Sequence, residues 1–400
     1  MVRQAQLAEI LNLVGAQGDR VVGEELYHLS KPDPRTLLGK GTSRDIAKRA
    51  RECGANLLVL DAELTPSQMR NLEDVAGIPI CDREAVILNV FLRHAKTRKA
   101  KIQVEIAQLE YLRPRIRGVG INMDQQIGGV KGGRGPGETA SELLARKLDA
   151  RLSELKKAQR KFEKGGETQR QQRDSCKRIV LIGYTNAGKT SLMNALTSES
   201  LSARDMPFET LDTTSRSLSR YGGDVLLSDT VGFIRRLPKR LLDSFESTLA
   251  EIREASLLVI VVDASDYELR QHLEATRKVL EKLEVRDTPC FYIFNKLDRI
   301  SNTSENSNFE IMSNGHPFIA LSSQDTKAVQ QLKEMLLKTV RDDQKAVTLF
   351  VPYTASKTMS LIYGKCRILS NDSNEGGITF EIQGAPDVIK LIKDSLKEVL

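Results

Sequence analysis

No run in this 400-residue sequence is apolar for long enough to cross a bilayer. The longest strongly apolar stretch, 257–262, falls far short of the ~20 residues that a spanning helix needs. The opening MVRQAQLAEI lacks the hydrophobic stretch of a signal peptide, so the expectation is a cytoplasmic chain. Cysteine is scarce. Cys53, Cys81, Cys176, Cys290 and Cys366 are scattered, with no CxxC and no histidine at ligand spacing. That pattern excludes a disulfide framework and a zinc site and leaves the thiols as packing residues. Low-complexity sequence is absent as well. What is present is 40% hydrophobic residues, enough for two to three globular domains, and nothing demands more than a monomer.

The net charge of +7 is modest but uneven. Between positions 93 and 117 there are eight Lys or Arg against two Glu, an excess that favours polyanions. Just beyond lies RPRIRGVGINMDQQIGGVKGGRGPGETA (113–140), rich in glycine and arginine and poor in core residues. It is flanked by a helical pattern over 95–112, with Ile102, Ile106 and Leu109 on one stripe. On the other side, Leu144, Leu148, Leu152, Leu155 and Phe162 recur at three- and four-residue intervals. The spacing predicts a helical hairpin with a basic glycine loop at its tip. Arg113, Arg115, Arg117, Lys131 and Arg134 on flexible backbone suit the phosphates and grooves of folded RNA.

The motif of highest information is GYTNAGKTS at 183–191, after the strand-like RIVLI and before a helical pattern. It has the form G-x-x-x-x-G-K-[ST]. Glycines let backbone N–H groups and a helix N-terminus converge on phosphate oxygens. Lys189 adds a point charge, and Thr190 offers a hydroxyl to Mg²⁺. DVLLSDTVG (224–232) follows, ending in Asp229 as a second Mg²⁺ partner, Thr230, Val231, and Gly232, whose N–H senses a γ-phosphate. FNKLD (294–298) comes next. The Asp298 carboxylate can accept both N–H groups on one edge of guanine, braced by Asn295, Lys296 and Leu297. PFIALSS (317–323) places Ser322 and Ser323 behind the base. Four such stretches in this order predict a Mg²⁺-dependent GTP-binding domain. Between the first two, MPFETLDTTSR is the place for a switch loop, with Thr210, Thr213 and Thr214 as candidates to close on Mg²⁺. Phe233 follows Gly232 where a glutamine can orient the attacking water in Ras-like enzymes; a phenyl ring cannot, so intrinsic hydrolysis is expected to be slow.

The expected architecture is α/β. A small α/β subdomain (1–92) has VVGEEL, LLVLDAEL and IPICD as strands and DIAKRAREC and PSQMRNLEDVAG as helices. The hairpin and a polar linker, EKGGETQRQQRDS, occupy 93–175. The P-loop GTPase domain spans 176–342, and a small α+β domain spans 346–400. GKGTSRDIAK (39–48) reads as a turn and helix cap rather than a phosphate loop.

GYTNAGKTSLMNALT, TLDTTSR, LSDTVGFIRRLP and FNKLD, with GGRGPGE and KIQVEIAQLEYLRPR, resemble the HflX family of bacterial translational GTPases. The resemblance implies GTP hydrolysis coupled to the large (50S) ribosomal subunit and its rRNA. The hairpin tip would reach toward the peptidyl-transferase centre, and stalled or dormant 70S particles would be split. It further implies that residues 183–190 (Gly183, Tyr184, Thr185, Asn186, Ala187, Gly188, Lys189, Thr190) bind phosphates and that Thr190, Thr210 and Asp229 hold Mg²⁺. Lys189, Thr210 and Gly232 would serve catalysis, and Phe208, Glu209, Leu211 and Asp212 would flank the nucleotide. Thr210 is favoured because it takes the family's TLD position. The chain departs from the usual pattern at Ala140-Ser141-Glu142-Leu143-Leu144, at Asp212-Thr213 and at Ser322-Ser323. Other readings remain: a ribosome-assembly GTPase, a non-catalytic RNA-binding factor that holds GTP as a structural ligand, and an ATP-driven RNA remodeller, the last opposed by NKLD.

Overall fold

The computed structural model describes residues 2–29, 31–116, 140–171, 176–197, 214–218, 225–230, 232–285, 288–300, 306–341, 346–384 and 386–397. The chain forms two compact units. The first holds residues 1–164 with the segment 236–246, and the second holds the remainder apart from 206–211.

The first unit opens with α1 (Val2–Ala16) and α2 (Lys40–Glu52), then alternates β1 (Leu58–Leu60), α3 (Pro66–Ala76), β2 (Ile80–Asp82) and α4 (Arg83–His94). β1 and β2 pair in parallel, Leu58 opposite Ile80. Local chemistry fixes the ends of α3. Thr65 and Gln68 exchange side chain and backbone in a capping box, and Gly77 closes the helix in the left-handed conformation. VVGEEL, also expected as a strand, is neither helix nor strand; Val21, Val22 and Leu26 are exposed. Its two valines are adjacent and followed by Gly-Glu-Glu, so no alternating apolar face exists to hold it on a sheet. Cys53, expected to pack, is also exposed.

α5 (Arg98–Ile116) and α6 (Ala140–Gln171) form the hairpin. Ile102, Ile106 and Leu109 pack against Leu148, Leu152 and Leu155, and Arg151–Glu105, Lys156–Glu110 and Arg113–Asp149 flank the seam. Two boundaries differ from expectation. α5 continues two residues past Pro114, although a proline there forgoes the N–H bond to the carbonyl of residue 110, and the helix ends at Ile116. α6 runs through residues 163–171, read from sequence as part of the linker; Glu, Lys, Gln and Arg there are good helix formers, and they carry the helix past Gly165 and Gly166. Since α6 spans 32 residues against 19 for α5, the apolar stripe outruns its partner, and Leu144 and Phe162 are exposed.

A buried polar knot fastens the base of α5. Asp82, fully buried, accepts the Tyr111 hydroxyl (2.8 Å), the Leu64 amide (3.2 Å) and Arg115 (3.2 Å), and also caps α4 through the Ala85 N–H. The Arg115 guanidinium lies 3.6 Å from the Tyr111 ring centroid and donates to the Leu64 carbonyl. Burial and the neighbouring Asp82 carboxylate push the Tyr111 phenol far up. Arg115, expected to meet RNA, is therefore committed to the fold.

The second unit carries a six-stranded sheet in the order β4-β5-β3-β6-β7-β8. Its strands are β3 (Lys177–Gly183), β4 (Thr214–Ser217), β5 (Val225–Asp229), β6 (Leu257–Asp263), β7 (Cys290–Asn295) and β8 (Phe318–Ala320). All neighbours are parallel except β4 on β5. β3 and β6 are apolar along most of their length because helices cover both faces of a parallel sheet. The covering helices include α7 (Lys189–Thr197), then α9 (Glu246–Arg253), α10 (Leu269–Lys282), α11 (Asn306–Met312) and α12 (Thr326–Arg341). α8 (Lys239–Ser244) precedes α9 but belongs to the first unit, where Arg240 makes a bidentate pair with Glu84 and Phe245 meets Phe91 at 5.6 Å. A three-stranded antiparallel sheet of β9 (Val347–Pro352), β10 (Arg367–Asn374) and β11 (Gly377–Gln383) packs with α13 (Ser356–Lys365) and α14 (Pro386–Lys397) around Phe380, Ile382 and Ile392. No described helix is long and apolar enough to cross a membrane.

Arg115→Ala leaves the Asp82 carboxylate buried without its cation, and the expected loss is about 3 kcal/mol. Urea unfolding followed by a probe in the first unit measures it; an unchanged midpoint would remove Arg115 from the fold.

Candidate nucleotide-binding site

Parallel strands expose their carboxyl ends at one edge of a sheet, and ligands of such sheets gather there. β3 delivers the 183–190 loop to that edge, β5 delivers 229–232, β7 delivers 295–298 and β8 delivers 322–323. Loops distant in sequence are thereby assembled by strand order alone.

The phosphate loop is shaped by its glycines at two points. Gly183 has φ 153°, and a Cβ there would lie 2.1 Å from the Val261 carbonyl oxygen on the neighbouring strand. A Cβ on Gly232 would lie 2.9 Å from the Thr185 Cα and 3.1 Å from Lys189 Nζ, so the 232 backbone closes directly over the phosphate loop. Lys189 is buried and donates to the Gly183 and Tyr184 carbonyls at 3.2 and 2.9 Å. Burial lowers its pKa to about 8; Asp229 opposes that shift and Lys296 adds to it. An ammonium held this way gains from a phosphate dianion placed beside it.

Thr190 Oγ1 donates to Asp229 Oδ2 at 2.7 Å. Two hard oxygen donors side by side at the phosphate loop fit a small divalent cation such as Mg²⁺. Thr210, its expected third partner, lies outside the described residues, as do Phe208, Glu209, Leu211, Asp212, Thr213 and Val231. Thr214, the remaining switch candidate, is built into β4 opposite Asp229. Thr230 turns its hydroxyl inward to the Leu181 carbonyl and holds β5 against β3.

The base-recognition loops are tied to the phosphate loop. Buried Asn295 donates to the Ala187 carbonyl (3.1 Å) and accepts the Ser323 amide (3.0 Å). Lys296, in the left-handed region at φ 63°, donates to the Asn186 carbonyl (2.7 Å) and pairs with Asp263 (2.8 Å). Ser322 donates to Asp298 at 2.5 Å, and Leu297 opens a short 3-10 turn. Asp263 was not singled out from sequence. It stands opposite Asn295 at the carboxyl end of β6, a position that the edge rule for parallel sheets would have flagged.

With this geometry in view, three family models match the chain. They are described as GTP-binding GTPase N-terminal (residues 4–92), GTP-binding GTPase Middle Region (94–173) and 50S ribosome-binding GTPase (178–296). A GTPase HflX from Spirochaeta thermophila is 36% identical over 90% of this chain and 88% of its own length. The GTPase HflX of Gluconacetobacter diazotrophicus is 40% identical, over 85% of this chain and 74% of its own. The chain belongs to the HflX family. It is a GTPase with a P-loop GTPase domain in an α/β fold. A GTP-binding protein of Sulfolobus solfataricus, solved with GDP, aligns at TM-score 0.45 and 21% identity over 84% of this chain and 95% of that one.

The Gly232 packing gives a direct test. A methyl group there has to displace backbone, so Gly232→Ala is expected to slow GTP hydrolysis by at least about tenfold while GDP affinity stays within about twofold. Single-turnover phosphate release and GDP titration measure the two, and equal losses of both would place Gly232 in general nucleotide binding.

Proposed function

We propose that this HflX-family GTPase binds the large ribosomal subunit and couples GTP binding and hydrolysis to the splitting or rescue of stalled or dormant 70S ribosomes. The observation that carries the reading is the union, on one chain, of a GTPase segment matching a 50S ribosome-binding model with a helical hairpin whose connecting loop is rich in glycine and basic residues. Arg117, Lys131 and Arg134 of that loop are the proposed rRNA contacts and lie outside the described residues. Arg113, already paired with Asp149 at the surface, can exchange that partner for a phosphate at small cost.

In the proposed cycle, residues 183–190 cradle the phosphates, with the Lys189 ammonium offsetting charge on the transferring group. Thr190, Thr210 and Asp229 would hold Mg²⁺, which would supply positive charge to offset that of the phosphates. The Gly232 N–H reports the γ-phosphate, and Asp298 selects guanine. Phe233 is 2% exposed, and its ring offers no hydrogen bond to water, which supports slow turnover until a partner supplies the missing order. The protein would act in the cytoplasm as a monomer.

Phosphate release from GTP, measured with protein alone and with 50S subunits, 70S ribosomes or an unrelated RNA, tests the proposal. Stimulation specific to the ribosomal samples is expected, and equal rates in all of them would overturn it. Asp298→Asn exchanges an acceptor for a donor at the base, so GTP affinity should fall at least about a hundredfold and xanthosine triphosphate binding should rise. Competition between the two nucleotides reads this directly.

A further inference from the structure

Beside the phosphate loop, and sharing Tyr184 with it, lies a closed circuit of side chains built on Arg235. Arg235, two residues past Phe233, sends its guanidinium to Glu268 Oε2 at 2.6 Å and to His272 Nε2 at 3.4 Å. The other ring nitrogen of His272, Nδ1, lies 2.6 Å from Asp266 Oδ2, and the ring stacks on Tyr184 at 3.7 Å and 11°. The Tyr184 hydroxyl then accepts the backbone N–H of Arg235 at 2.9 Å, closing the circuit. Tyr184 belongs to the phosphate loop, Arg235 to the segment after Gly232, and Glu268 and His272 to the entry and first turns of α10. Glu268 is buried, so its ion pair with Arg235 lies in a low-dielectric surrounding.

Within this frame the backbone of Phe233 pairs with the phosphate loop as a strand would. Its N–H donates to the Gly183 carbonyl (3.0 Å), and its carbonyl accepts the Thr185 N–H (2.8 Å). The preceding residue is Gly232, whose backbone closes over Lys189. Arg235 is also the last residue of the second unit before the chain enters the first at Arg236, which adopts φ 52°. Along the chain the anchor therefore lies between Gly232 and segment 236–246.

We infer that Arg235 is a positioning residue for γ-phosphate recognition: held by Glu268, His272 and Tyr184, it fixes the height of the Gly232 N–H above the phosphate loop. The inference rests on the GTPase reading of that loop and goes beyond it. The Phe233 ring can offer no hydrogen bond to a γ-phosphate, so recognition at this point rests on backbone N–H groups and on how accurately they are placed. GDP has no γ-phosphate and does not sense Gly232. Loss of the anchor should thus separate the two nucleotides.

The test titrates full-length wild type, Arg235→Ala, Arg235→Lys and Glu268→Gln with GDP and with a non-hydrolysable GTP analogue. In Arg235→Ala the ratio of analogue to GDP affinity should fall on the order of tenfold, the worth of one hydrogen bond to a charged group, with GDP affinity held within about twofold. Glu268→Gln, which keeps shape and removes the charge, should move the ratio in the same direction, and Arg235→Lys should restore part of it. In hydrolysis, whose chemistry is slow, KM for GTP should rise about as the analogue affinity falls. Parallel loss of both nucleotides would mean a merely structural role, and an unchanged ratio would mean that the anchor does not reach Gly232; either overturns the inference. The ratio needs no ribosome, so failure of ribosomal stimulation in the wild type leaves this result readable by itself.

Discussion

A lysine ammonium buried in a loop of backbone carbonyls is the constraint on which the second unit depends. Lys189 has carbonyl partners from Gly183 and Tyr184 but lies where burial disfavours its charge. A phosphate anion in the loop relieves that cost, which is why amides, the α7 N-terminus and Asp229 converge on the same place. The surrounding geometry keeps the position from collapsing: Gly183 leaves room for β6, Asn295 ties Ala187 to Ser323, and Lys296 ties Asn186 to Asp263. The 183–190, 295–298 and 322–323 loops are therefore one hydrogen-bonded body.

The loop after β5 is held differently on its two sides. Upstream, Asp229 and Thr230 are fastened to the centre of the sheet; downstream, segment 236–246 folds with the first unit through Glu84 and Phe91. Between them stands the short stretch with Gly232, Phe233 and Arg235. Two backbone hydrogen bonds of Phe233, one from the Arg235 N–H to Tyr184 and the Arg235–Glu268 ion pair hold it in place.

Much of this was legible in the chain. Residues 183–190, 229–230, 232, 295–298 and 322–323, singled out in the chain for groups that phosphate and guanine chemistry demand at fixed local spacing, are the ones that the sheet brings to one edge. The core helices followed from periodicity, and α3 from its Thr-Pro start and Gly stop. Errors fell where local pattern is weak. VVGEEL has strand-forming residues without an alternating face, residues 163–171 are polar yet helix-forming, and the reach of α5 past Pro114 depends on Arg115 finding Asp82.

Sequence alone determined the chemistry of the nucleotide site and the order in which its loops leave the sheet, since each motif is a contiguous run whose function is set by its own backbone and side chains. Tertiary structure alone decided which charges are spent inside the fold. Arg115 and Arg235 look like surface cations among many, yet one is buried against Asp82 and the other against Glu268. The partners lie 33 residues away in each case. Ion pairs over such separations carry no periodicity or spacing rule, because they form only after helices and strands have packed and the low dielectric around them has been created.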